Sequence, residues 1–123
     1  MVSAIGERRS EEIKVYIAAP YTNGDTVQNV RTAIDFAESL ANCGLIPFVP
    51  HLTHFWHFVH PHDIEFWYAY DIEWLKACDL LVRLPGESSG ADEEVRIAET
   101  MGIPVIFSFD GDPDIAQKIK KVK

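Results

Sequence analysis

The stretch Ser88-Ser89-Gly90-Ala91-Asp92-Glu93-Glu94-Val95-Arg96-Ile97-Ala98 is a turn of small residues running directly into an amphipathic helix. At about 100° per residue, Val95, Ile97, Ala98 and Met101 form one apolar stripe, with Glu94 near its middle. Asp92, Glu93, Arg96, Glu99 and Thr100 fall elsewhere on the wheel. Glu94 is therefore predicted to point inward. A carboxylate in the first turn is favoured by the helix N-terminus, yet on the buried face it needs a partner or a chemical role. Two readings stand: a chemical role, or a first-turn charge that snorkels to solvent.

Upstream of this unit, residues 79–84 read as a strand and 85–90 as the loop that delivers the chain into the helix. Downstream, Gly102-Ile103-Pro104 ends the helix and residues 105–109 form a fourth strand. Residues 110–113 make a turn, and 114–121 a closing amphipathic helix with its lysines at the favoured C-terminal end. Towards the N-terminus, residues 13–19 give a first strand stopped by Pro20, and Tyr21-Thr22-Asn23-Gly24-Asp25 a loop. Val27, Val30, Ala33, Ile34, Ala37, Leu40 and Ala41 keep helical spacing up to Gly44. Residues 45–49 make a second strand interrupted by Pro47, which points to an edge position or an early bulge.

All five histidines lie between His51 and His62. Spaced by three, they could share a helical face and hold a metal. Pro50, Pro61 and the interleaved bulky residues favour instead an aromatic loop or lid whose histidines bond to backbone or rim a pocket. Residues 63–77 form a helix with Asp63 as N-cap. Within it Asp71 lies among Trp67, Tyr68 and Trp74, surroundings that raise a carboxyl pKa. The alternative is an Asp71 that caps a loop or pairs with Arg83.

At 123 residues, with 47% hydrophobic and 24% charged residues, the chain fits one domain over residues 13–123 behind a polar, frayed leader at 1–12. A net charge of -8 without a basic run argues against nucleic acid or an anionic membrane as partner and for a small molecule. Cys43 and Cys78 suit reduced, buried thiols, and with no apolar membrane span or signal peptide the expected compartment is the cytoplasm. Neither G-x-x-x-x-G-K-S/T nor G-x-G-x-x-G is present, which argues against an ATPase or a dinucleotide oxidoreductase. No cofactor or bound metal is expected.

Alternating strands and helices predict an α/β, flavodoxin-like (Rossmann-like) three-layer sandwich, with a mostly parallel sheet of four to five strands. The loops after strands one, two and three should meet at the carboxyl ends of the strands, where such sheets bind ligands. Two inward acids, a glycine turn at a helix N-terminus and an aromatic wall suit a sugar-containing ligand, phosphorylated or not.

Three segments carry a family resemblance: Lys14-Val15-Tyr16-Ile17-Ala18-Ala19-Pro20, Asp71-Ile72-Glu73-Trp74-Leu75-Lys76-Ala77-Cys78-Asp79, and Ser88-x-Gly90-x-x-x-Glu94-x-x-x-Ala98-x-x-x-Gly102-x-Pro104. Together they resemble the nucleoside 2-deoxyribosyltransferase-like family, which includes the 2'-deoxynucleoside 5'-monophosphate N-glycosidases. The resemblance implies cleavage of an N-glycosidic bond through a covalent sugar ester, by hydrolysis or by transfer to another base, in a homo-oligomer. It implies Glu94 as nucleophile at C1', Asp71 as the acid that assists the leaving base or orients the sugar, and Tyr16 as the hydroxyl that positions the nucleophile. Ser88 and Gly90 would meet the 5' end of the substrate. Ala19, Thr22, Asn23, His51 and Trp67 complete the expected binding wall. The chain departs from the family pattern in two places. Pro20, Tyr21, Thr22 and Asn23 stand where the monophosphate enzymes carry a serine and arginine cradle, and no asparagine follows Asn42, whereas the transferases use a late one from a neighbouring subunit. The rival of a different class is a non-catalytic nucleotide-binding or sensing module with the same pocket.

Overall fold

A computed structural model describes residues 12–108 and 114–122. In chain order it contains β1 (Lys14–Ala18), α1 (Thr26–Asn42), β2 (Ile46–Phe48), a single 3-10 turn (Pro50–Thr53), α2 (His54–Val59), α3 (Ile64–Lys76), β3 (Leu80–Arg83), α4 (Ser89–Thr100), β4 (Val105–Phe107) and α5 (Ile115–Val122). The strands lie in the order β2-β1-β3-β4, and all three pairings are parallel. Pro47 sits opposite Val15 on the edge strand, where an amide without a hydrogen costs least.

Alternation along β1 and β3 sorts the molecule into layers. Val15, Ile17, Leu80 and Val82 face a core closed by Ala33 and Leu40 of α1 and Ile115 and Ile119 of α5. Tyr16, Ala18 and Leu81 face the opposite core, closed by Leu75 of α3 and Ala91, Val95 and Ala98 of α4. The result is the three-layer, flavodoxin-like arrangement that the alternation predicts.

The helix starts are set by side chains. Asp25 accepts from the Gln28 amide, Asp63 from the Phe66 amide and Ser88 from the Ala91 amide, each satisfying a donor that the first turn leaves free. Gly44 takes φ 85° after α1, a left-handed conformation that glycine adopts at little cost. Gly86, at φ 113°, matters more. A Cβ there would come within 2.8 Å of Pro20 Cγ, so glycine lets the loop after β3 lie against the loop after β1.

Several expectations need correction. Residues 50–59, expected as a loop, form the 3-10 turn and α2, because Pro50 sets the φ of a helical first residue instead of breaking the chain. Both cysteines are free, but Cys43 is exposed and Cys78 only half-buried; Cys43 caps the C-terminus of α1, beyond its packed face. Leader residues 1–11, Phe109, expected to end β4, and the expected turn at 110–113 lie outside the described residues.

Candidate active site

The order β2-β1-β3-β4 reverses direction between β1 and β3, which opens a crevice beyond their carboxyl ends. A cavity of about 540 Å³ lies there. The loop after β1 lines it with Ala19, Tyr21, Thr22 and Asn23, the segment after β2 with His51, Thr53, His57 and His62, α3 with Trp67, Tyr68 and Asp71, and the start of α4 with Ser88, Gly90 and Glu94. Every residue expected to bind substrate is therefore on the wall, and so are both expected acids.

Glu94 is only 8% exposed, as its place on the apolar stripe predicts. Its Oε2 accepts a 2.5 Å hydrogen bond from the hydroxyl of Tyr16. Tyr16 is fully buried in β1, behind Glu94 and off the cavity wall. Burial, and then the neighbouring carboxylates, hold its phenol well above the ordinary pKa, so it stays protonated and donates. Burial also raises the Glu94 carboxyl to about 7, opposed by the Tyr16 hydrogen bond and by Arg83, and reinforced by the charge of Asp71.

Asp71 is raised to about 7 by burial, and its Oδ1 is buried with no hydrogen-bond partner. Both carboxyl groups are thus raised towards neutrality by burial, and the charge of Asp71 adds to the rise at Glu94. Between them, the hydrogen bond from Tyr16 favours the anion on Glu94, and the unsolvated Oδ1 favours the proton on Asp71. Trp67 and Tyr68 stand on the wall beside Asp71. Trp74 does not: it stacks on Phe48 with ring centroids 5.6 Å apart and is 46% exposed, drawn away by the edge strand.

Arg83, the alternative partner for Asp71, pairs instead with Asp92 at 2.9 Å. It also donates to the carbonyls of Leu84 and Gly86, pinning the loop that leads into α4. Asn23 ties the neighbouring loop to the Glu87 carbonyl at 3.0 Å. Gly90 faces the Tyr68 hydroxyl, which a Cβ there would meet at 3.4 Å.

The histidines are used singly. His51 lies 2.8 Å through Nε2 from the Pro20 carbonyl, Nδ1 of His54 meets the Tyr21 hydroxyl, and Nδ1 of His57 accepts from Trp67 Nε1 at 2.8 Å and from the His62 amide at 3.2 Å. Among the described residues no three His, Cys, Asp or Glu side chains gather as metal ligands. Tyr21 escaped the sequence reading as a wall residue, whereas His57 and His62 are among the histidines read as rimming a pocket and Tyr68 among the aromatic residues placed beside Asp71.

A second cavity, of about 670 Å³, opens on the α1 side, and among the described residues Glu87 is the sole titratable side chain on its wall. Both candidate acids, Asp71 and Glu94, lie on the wall of the first cavity. Among the described residues no helix is long and apolar enough to cross a membrane.

No curated protein matches the chain. A solved structure similar to it is a 2-deoxyribosyltransferase from the psychrotolerant bacterium Bacillus psychrosaccharolyticus, described as a biocatalyst for the synthesis of antiviral and antitumoral nucleosides. The two are 22% identical, with 86% of this chain and 79% of the other covered at a TM-score of 0.58, so they share a fold. A family model matches residues 13–108, and the chain belongs to the family that model describes, the domain of unknown function DUF7768.

Proposed function

We propose that the protein cleaves the N-glycosidic bond of a (deoxy)nucleoside or its 5'-monophosphate through a covalent glycosyl-enzyme intermediate. The observation that carries this reading is the pairing of unlike acids on one cavity wall: Glu94 held by the buried Tyr16 hydroxyl at 2.5 Å, and Asp71 with an unpartnered oxygen. The fold shared with a 2-deoxyribosyltransferase agrees with it.

In the first step a carboxylate oxygen of Glu94 bonds to C1' as the C1'–N bond breaks, and the bond's electrons leave with the base. Asp71 supplies the proton that makes the base a neutral leaving group. In the second step water, or a second base, attacks C1' and frees Glu94 as the carboxylate; Asp71 takes up the proton lost by the attacking group. Tyr16 acts through Glu94 and is a positioning residue. Ser88, Gly90, Ala19, Thr22, Asn23, His51 and Trp67 form the binding wall.

Exposed aromatic side chains on α2, notably Phe55 at 77% and Phe58 at 69%, support a homo-oligomer. Sedimentation at micromolar concentration tests this, and a monomer would refute it. The reaction itself is tested by incubating the protein with nucleosides and 5'-monophosphates and measuring released base. Mass spectrometry of quenched samples should then find a pentosyl adduct on the peptide carrying Glu94. Binding without release of base would leave the non-catalytic module as the function.

A further inference from the structure

Arg83 ends β3 with only 8% of its surface exposed, a place where a charge is costly unless it is paired and hydrogen-bonded. Alternation along the strand puts it on the same face as Leu81, and the register sets Leu81 opposite Tyr16 and Arg83 opposite Ala18. Arg83 therefore shares with Tyr16 the face on which α4 packs, two residues nearer the carboxyl ends of the strands. Its guanidinium donates to the carbonyls of Leu84 and Gly86 and, through Nε and Nη2, to Oδ1 of Asp92 at 3.3 and 2.9 Å.

The pair with Asp92 is lopsided. The Arg83 side chain is 10% exposed and that of Asp92 72%. Water screens the anion, whereas the cation lies where a charge acts over a longer distance. The interior under the first turn of α4 thus feels a net positive charge. Glu94, two residues after Asp92, turns inward there and is buried. Arg83 opposes the effect of burial on its carboxyl group, alongside the hydrogen bond from Tyr16. The other ionisable groups around Glu94 do not share that role. Tyr16 on β1 donates as a neutral phenol, and Asp71 on α3 repels the carboxylate. The Cys78 thiol, beside Tyr16, is pushed up to about 11 by burial. On α4 itself Asp92 and Glu93 are each bonded to an arginine. The cavity wall adds Tyr21, His51, His57, His62 and Tyr68.

We propose that Arg83 is a positioning residue for Glu94: the buried positive end of the Arg83–Asp92 pair favours Glu94 as a carboxylate, the form that can attack C1'. Its part in that attack rests on the cleavage reading. The hold of the charge on Glu94 is a property of the folded chain and is measured without substrate. The bonds that pin the loop after β3 thus also fix a charge beneath the nucleophile.

Substitutions separate the charge from the bonds. Arg83→Gln keeps an amide donor for the loop carbonyls and has no charge, whereas Arg83→Lys keeps the charge and loses the planar fork. The full chain is made with carbon-13-labelled glutamate, and the Glu94 carboxyl signal is identified by its loss in Glu94→Gln. That signal is followed by NMR from about pH 4 to about pH 9, alongside thermal midpoints. We expect Arg83→Gln to raise the Glu94 titration midpoint by about half a pH unit or more, and Arg83→Lys to hold it within about a quarter of a pH unit of wild type. Asp92→Asn, which uncovers the cation, should lower it. A role confined to pinning the loop would move Glu94 the same way in all three variants. That result, or an unmoved midpoint in Arg83→Gln, would overturn the proposal. If Arg83→Gln does not fold, Asp92→Asn decides, and a midpoint raised or unmoved there overturns it. Where base is released, the acid limb of the rate should move with the carboxyl midpoint; a limb that stays put while the midpoint moves overturns the positioning role. Failure of wild type to release base sinks the cleavage reading, and the titrations still decide whether Arg83 holds the charge of Glu94.

Discussion

On the face covered by α1 and α5, β1 and β3 present only aliphatic side chains, Val15, Ile17, Leu80 and Val82, and the helices close over them with Ala33, Leu40, Ile115 and Ile119. On the other face the same two strands present Tyr16, Ala18, Leu81 and Arg83, and α4 lays a buried carboxyl group, Glu94, against them. The strands twist and pair alike on both sides, so the difference lies wholly in side-chain chemistry. The first face gains from every contact it makes. The second holds acids at about pKa 7 and a phenol well above its ordinary value, groups that burial disfavours in their charged forms. A fold that carries such groups is stabilised by one face while the other holds buried ionisable groups at a cost.

That division can be broken most sharply at Glu94. Glu94→Gln should keep the fold and lose about three or more orders of magnitude in turnover, since the amide cannot attack C1'. Glu93→Gln, one residue earlier and paired with Arg96 at the surface, should stay near wild type. Comparable losses in released-base assays would show that α4 carries no privileged carboxylate.

Next in size is the effect of Asp71 on turnover. In the proposed reaction the productive state has Glu94 ionised and Asp71 protonated, so activity should pass through a maximum near neutrality and fall on both sides. Asp71→Asn should remove the alkaline limb. It should slow natural substrates by about 10²–10⁴-fold and spare synthetic ones whose leaving group needs no proton. Equal slowing of both substrate types would mean that Asp71 holds the sugar and does not protonate the base.

The opposite face should show the reverse pattern. Leu40 is 1% exposed in the α1 core, and Leu40→Ala should cost about 2–4 kcal/mol of stability in urea unfolding. Turnover per folded molecule should not change, because Leu40 is not on the cavity wall. A change in the pH profile of this variant would show that the two faces are coupled.

How much of this was legible beforehand depends on the range of the interaction concerned. Helix and strand periods place Glu94 inward and Asp71 beside Trp67 and Tyr68, because those relations are fixed within one element. Pro47 leaves an edge position or a bulge open for β2, and the sheet order shows the edge. The Arg83–Asp92 pair spans the loop after β3 and depends on its path past Gly86, which no local pattern specifies. The state of His51 depends on Pro20, 31 residues earlier. Trp74 has the right spacing from Asp71, yet Phe48 on β2 takes it. The helices at 50–59 were hidden because Pro50 reads as a break in a sequence and acts as a start in the structure.

The smallest predicted effect is on stability, and it tests whether the second face really carries a penalty. Burial raises Asp71 from 3.8 to about 7. Below about pH 4 the carboxyl is protonated in folded and unfolded chains alike. As pH rises from there, the unfolded chain releases the proton first and the folded chain keeps it until about 7, so the contribution of Asp71 to stability falls through that window and levels off above it. Glu94, also raised to about 7, contributes with the same sign. Asparagine cannot titrate. Asp71→Asn should therefore lose less stability than wild type between pH 5 and pH 8, and at pH 8 it should be the more stable protein by about 1–2 kcal/mol, a value reduced from full burial because Asp71 borders the cavity. Removing the like charge also lowers the pKa of Glu94, which flattens the remaining slope. Urea midpoints at the two pH values decide the matter. If wild type and Asp71→Asn fall in parallel, Asp71 is solvated in the folded protein, and the cavity face carries no more strain than the aliphatic one.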